Sequence, residues 1–186
     1  MYSLVLDPSS LIPCGEKSEE DKKAIWELGH FLYNVRRATI YLSSYLIKIY
    51  KDRVAPLLEK HHPLPPFQAS LLNLLPQLMT KITKSRGLLC KTTSTKSGIN
   101  FHILETSRVK QYDVDNIGLT EEDDKEVLRI ALASAHQETF LVTTDRHFFN
   151  INWAKLQKRH PNEAKKVKIV KPNDQYLICY FLVDLL

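Results

Sequence analysis

The 186-residue sequence predicts an α/β fold, a three-layer sandwich around a central parallel sheet. Three observations carry that prediction. Short, β-branched apolar runs recur at residues 2–6, 39–43, 140–144 and 167–170, apolar enough for strands covered on both faces. Between them lie stretches whose apolar residues recur three and four apart, as helices burying one stripe require. Aspartates follow two of the runs, Asp7 and Asp145, and the carboxyl ends of parallel strands are where such sheets collect ligands.

Taken in order, residues 2–6 form a first strand stopped by Asp7-Pro8. Ser18-Glu-Glu-Asp21 resembles a capping box, and Ile25, Leu28, Leu32 and Val35 follow at helical spacing, which predicts a helix over 19–37. Residues 39–43 read as a second strand, and 44 to about 60 as a helix carrying Tyr45, Leu46, Ile49 and Leu57. Pro63, Pro65 and Pro66 interrupt the pattern before a leucine-rich helix over 67–84, with Pro76 inside it. Residues 87–91 and 99–105 predict a hairpin with lysines at its tip. Thr120-Glu-Glu-Asp123 resembles a second capping box, ahead of Val127, Leu128, Ala131 and Ala135. A strand over 140–144, a basic helix near 151–160, a strand over 167–170 and an apolar helix over 175–186 complete the chain.

Composition narrows the class. With 44% apolar and 25% charged residues, one globular domain with a sizeable core is expected, not a disordered tail or a collagenous fibre. Cys14, Cys90 and Cys179 are odd in number and far apart, so neither a disulfide framework nor a paired-cysteine zinc site is implied. The chain opens on no signal-like segment and has no run of about 18 apolar residues, so a cytoplasmic home without membrane contact is expected.

Charge is segregated within the net +5. Residues 81–110 hold seven Lys/Arg against Glu105, and residues 151–171 hold seven against Glu163, while acids crowd into 16–27 and 121–126. That division suggests a polyanionic partner for the bases and a separate task for the acids.

Several chemistries can be struck out. The five glycines form no phosphate-cradling loop, the seven histidines show no metal-ligand spacing on a helix, and no Gly-x-Ser-x-Gly elbow occurs. What remains are aspartates: Asp7 and Asp145 after strands, and Asp124 in the first turns of a helix. If the two strands are neighbours, Asp7 and Asp145 converge, and carboxylates packed together call for a divalent cation, Mg²⁺ or Mn²⁺ by ligand hardness. Such an ion can activate water for phosphodiester cleavage. Each acid also has a plain structural reading: Asp7 starts a turn, Asp145 caps the next helix, and Asp124 complements a helix dipole.

The ordered set of segments resembles the PIN-domain family of nucleases. Leu4-Val-Leu-Asp-Pro-Ser-Ser-Leu-Ile12 is similar to that family's opening strand with its Asp-x-Ser signature at Asp7 and Ser9. Asp124-Lys-Glu-Val-Leu-Arg-Ile-Ala131, Phe140-Leu-Val-Thr-Thr-Asp-Arg-His-Phe148 and Val167-Lys-Ile-Val-Lys-Pro172 resemble its later segments. The resemblance covers residues 1–55 and 106–186, and treats 56–105 as an insertion in one domain over 1–186. It implies the sheet order 3-2-1-4-5, which sets strands one and four side by side. It also implies an endoribonuclease acting on single-stranded RNA with Mg²⁺ or Mn²⁺, held by Asp7, Asp124 and Asp145, with Ser9 and Thr144 as hydrogen-bonding support. Asp123 or Glu126 stands in for Asp124 if the register differs. Lys84, Arg86, Lys91, Lys96, Arg146, Lys155, Lys158 and Arg159 are the bases expected to hold the RNA.

The chain departs from the family where a glutamate is usual after strand two. The matching window is Lys48-Ile49-Tyr50, and Asp52 is the nearest acid. A degenerate, non-catalytic PIN-like module that binds RNA or a protein is therefore the alternative. The toxin of a toxin–antitoxin pair, with an antitoxin as partner, an RNA-processing enzyme and a defence factor all fit these residues. The apolar faces of helices 67–84 and 175–186 suit either the domain's own core or a homodimer interface.

Overall fold

The computed structural model describes residues 2–34, 38–84, 90–92, 99–175 and 177. Six strands, β1 (Tyr2–Leu6), β2 (Ala38–Ser43), β3 (Cys90–Thr92), β4 (Asn100–Leu104), β5 (Thr139–Val142) and β6 (Val167–Val170), make one sheet in the order β3-β4-β2-β1-β5-β6. All neighbours are parallel except β3, which runs antiparallel to β4 at the edge. The five parallel strands thus follow the expected 3-2-1-4-5 order, and its third strand, β4, comes from within the 56–105 stretch expected as an insertion. Consecutive strand residues face opposite sides, yet Ser3 to Leu6 and all of β5 are buried. Both faces of the sheet are therefore covered, which makes the α/β sandwich.

Helix α1 (Glu19–Asn34) starts where expected, because the Ser18 hydroxyl accepts the Asp21 N–H at 3.1 Å and donates to its carboxylate at 2.8 Å. Ser43 ends β2 and at once caps α2 (Ser44–Ile49), accepting the Leu46 N–H at 3.1 Å. The helical run continues through a π turn (Tyr50–Val54) into α3 (Ala55–Glu59). Helix α4 (Pro66–Lys84) contributes Phe67, Leu71, Leu75 and Leu78 to the same core as β1 and β5, so its leucine face packs on this domain. Val35 to Arg37, the hairpin tip at 93–98 and most of the helix expected over 175–186 lie outside the described residues.

The remaining differences are local. Helix α5 (Thr106–Lys110) has no counterpart in the sequence-based expectations. Helix α6 (Glu122–Ser134) begins one residue later than a Thr120 cap would place it: Glu121 is its N-cap and makes no side-chain capping bond. Asp123, the residue such a capping box would use, meets the Tyr45 hydroxyl and Arg53 instead. Helix α7 (Trp153–Arg159) is capped by Asn152, whose Oδ1 accepts the Lys155 N–H at 3.0 Å. No helix among the described residues is long and apolar enough to cross a membrane.

Where α1 meets the start of α4, only glycine fits. A Cβ on Gly29 would sit 2.3 Å from Gln68 Oε1 and 2.4 Å from Pro65 Cβ, both on buried residues. Gly29→Ala is expected to cost about 1–3 kcal/mol through overpacking. A urea unfolding curve unchanged by that substitution would contradict this packing.

Candidate metal centre

The chain runs from β1 out to β2 and β4 on one side, then returns to β5 and β6 on the other. Between β1 and β5 lies the switch point at which open parallel sheets bind ligands. Leu6 pairs with Val142, and one further bond, Asp7 N–H to the Val142 carbonyl at 3.0 Å, closes the ladder. Asp7 therefore stands at the lip of the sheet because β1 stops there.

Asp7 is only 4% exposed, and its carboxylate is held by hydroxyls and one amide. Oδ2 accepts from Ser9 N at 3.1 Å, from Thr143 Oγ1 at 2.9 Å and from Ser9 Oγ. Burial outweighs these bonds and, with the nearby Asp145 charge, pushes the Asp7 pKa up to about 6. Ser9 gives the support expected of it. The second support is Thr143, not Thr144: β5 ends at Val142, so the Thr143 hydroxyl reaches Asp7 while Thr144 Oγ1 donates to the Ser9 carbonyl at 3.2 Å.

Asp124 enters from the first turn of α6, which packs against β1 and β5. It is 7% exposed, and its Oδ2 is buried with no hydrogen-bond partner. Burial, then the charges of Asp7, Asp145 and Glu121, raise its pKa to about 7, against the opposing effect of His147. An orphaned carboxylate oxygen beside two other aspartates is poorly satisfied by the protein alone. A cation there would meet both the missing partner and the excess charge.

Asp145 follows β5 and caps a 3-10 turn (Arg146–Asn150) by accepting the His147 N–H at 2.8 Å. Its plain reading as a cap is thus correct, and the cap has a consequence. The turn brings His147 Nδ1 to 3.4 Å from Asp145 Oδ1 and 3.9 Å from Asp124 Oδ2. Asp124, Asp145 and His147 offer ligand atoms within 4.8 Å of one another. Asp7 lies outside that triplet and acts on it as a neighbouring charge. Sequence reasoning missed His147, although its spacing of two from Asp145 just past a strand was a usable signal.

The stand-ins for Asp124 are engaged elsewhere. Asp123 takes the Tyr45 hydroxyl at 2.7 Å and pairs with Arg53, and buried Glu126 accepts from Ser43 Oγ at 2.6 Å. Asp52 is exposed on the π turn and does not join the triplet. In the window expected to carry a glutamate, Lys48 is exposed, while Tyr50 is buried and donates its hydroxyl to the Leu6 carbonyl. Burial and then the Asp7 charge hold that phenol well above its usual range.

The basic residues divide as well. Arg146 and Lys158 are exposed. Lys155 instead donates to the Asn116 carbonyl at 3.0 Å, and Arg159 to the Asp115 carbonyl at 2.6 Å, with Asp113 Oδ1 at 3.2 Å. These two pin the loop before α6 rather than standing clear for RNA. Arg86 and Lys96 lie outside the described residues, as do the side chains of Lys84 and Lys91.

Comparison with known proteins returns no match to any family model, curated protein or solved structure.

The raised pKa values carry a pH dependence. In metal-free protein, folded Asp7 and Asp124 keep protons up to about pH 6 and 7, whereas the unfolded chain releases them near 3.8. The folded state then binds more protons across that window, so their contribution to stability falls as pH rises through it and levels off above. Asp124→Asn is expected to flatten this decline and raise the melting midpoint at pH 8 in chelator. A pH profile identical to that of the parent protein would refute the assignment.

Proposed function

We propose that the protein is a metal-dependent endoribonuclease of the cytoplasm that cleaves single-stranded RNA. The observation that carries this reading is the buried, unpartnered Asp124 Oδ2, set beside Asp145 and Asp7 at the sheet's switch point. Asp124 and Asp145 are the residues that would hold Mg²⁺ or Mn²⁺, with Asp7 adding a neighbouring charge. When bound, such an ion supplies Lewis acidity and a hydroxide-like nucleophile at neutral pH.

The chain's own residues prepare the rest. Ser9 and Thr143 fix the orientation of Asp7, and Thr143 Oγ1 also accepts the Asp145 N–H at 2.9 Å, so one hydroxyl sets the position of two acids. Arg146, exposed and adjacent to Asp145, suits the phosphate that precedes or follows the scissile one. Water attacking in line opposite the 3′-oxygen leaves a 5′-phosphate and a 3′-hydroxyl.

A specific observation favours a second reading, a non-catalytic RNA- or protein-binding module. The window that would supply a further acid offers exposed Lys48 and inward-turned Tyr50. Calorimetric titration with Mn²⁺ separates the two, because a binding module shows no site that Asp145→Asn removes.

Asp124→Asn, Asp145→Asn and Asp7→Asn are each expected to lower Mn²⁺-dependent cleavage of single-stranded RNA by at least about 100-fold, with the circular dichroism spectrum retained. Full activity in the Asp124 or Asp145 variant would sink the nuclease reading. Arg146→Ala is expected to weaken RNA binding and reduce the slope of log affinity against log salt by about one. An unchanged slope would remove Arg146 from the RNA path.

A further inference from the structure

We propose that His147 is itself a ligand of the ion, making the centre a mixed carboxylate–imidazole site that prefers Mn²⁺ to Mg²⁺. The inference rests on the metal-site reading above and goes beyond it by assigning a nitrogen donor and a metal preference.

The geometry leads to it. Metal–ligand bonds of about 2.1–2.2 Å put adjacent ligands of an octahedral ion about 3 Å apart and opposite ones about 4.3 Å apart. His147 Nδ1 stands 3.4 Å from Asp145 Oδ1 and 3.9 Å from Asp124 Oδ2, inside that range on both sides. The same separations are poor for direct hydrogen bonds, the second beyond reach altogether. Asp124 Oδ2 accordingly has no hydrogen-bond partner although an imidazole nitrogen stands 3.9 Å away. All three ligand atoms lie within 4.8 Å of one another, close to the span across a single ion.

The main chain that carries the imidazole is fixed beside the two acids, while the side chain itself is 61% exposed and open to an incoming ion. The same Asp145 carboxylate that would bind the ion accepts the His147 N–H at 2.8 Å and so sets the turn from which the ring returns. Donor type then decides selectivity. Mg²⁺ demands oxygen and dehydrates reluctantly, whereas imidazole suits the transition ions. Mn²⁺ accepts carboxylate and imidazole together, so the nitrogen raises its affinity over that of Mg²⁺. The competing account is that a protonated His147 merely forms ion pairs with the two acids.

The test uses the full chain, stripped with chelator, and reads metal binding rather than cleavage. Mn²⁺ is titrated by electron paramagnetic resonance with Mg²⁺ as competitor, and pulsed measurements on bound Mn²⁺ look for nitrogen coupling. Wild-type protein is expected to show one site with a directly coupled nitrogen. His147→Gln, which keeps a polar side chain but loses the imidazole, is expected to abolish the coupling and weaken Mn²⁺ at least about tenfold, with Mg²⁺ changed less than about threefold. Bound Mn²⁺ with no nitrogen coupling, and undiminished affinity in His147→Gln, would overturn the ligand role and leave the carboxylate site and nuclease reading standing. Mn²⁺ binding that Asp124→Asn does not weaken would overturn both. Because the coupling is read first on wild-type protein, its absence there decides against the proposal even if the variant fails to fold.

Discussion

Parallel pairing of β1 with β5 is the constraint on which the rest depends. Each strand runs into an aspartate within a few residues of its last rung, so closing that ladder gathers negative charge at one edge of a covered sheet. Burial makes the charge costlier, and the protein meets it only in part. Asp7 receives three donors on one oxygen, and Asp124 Oδ2 receives none. The raised pKa values of both acids express the same shortfall: without an ion, protons are the remaining counter-charge. Helix α6 and the turn after β5 take their positions around that edge.

Much of this was legible in residues 1–10, 38–46 and 139–170. Apolar runs long enough for strands and too apolar for one-sided exposure gave the parallel sheet, and the aspartates marked its working end. The details that were not legible all involve contacts distant in sequence. Whether Thr143 or Thr144 supports Asp7 depends on where β5 stops, a matter of its ladder with β1 and β6. The Thr120 capping pattern failed where Asp123, its would-be box partner, meets Tyr45 and Arg53, partners that a local motif cannot register. His147 looked like one more surface histidine until the cap on Asp145 turned it back toward Asp124.

Charge counting misled in a similar way. Lys155 and Arg159 counted toward a basic surface, yet both reach backbone carbonyls of the loop that leads into α6. Lys125 adds a third tie to that loop through Asp115 at 2.8 Å. Cations here serve to fix the approach to the helix that carries Asp124. Only part of the segregated positive charge is left to face a polyanion.

The antiparallel β3 has a bearing beyond topology. A parallel sheet ending at β4 would present that strand's edge as a template for any extended segment of another molecule. Cys90–Thr92, from within the 56–105 stretch, occupy it instead, paired with Phe101–Ile103. The stretch that supplies β4 thereby also closes that strand's outer edge with its own backbone, so a foreign strand would have to displace a native one to pair there.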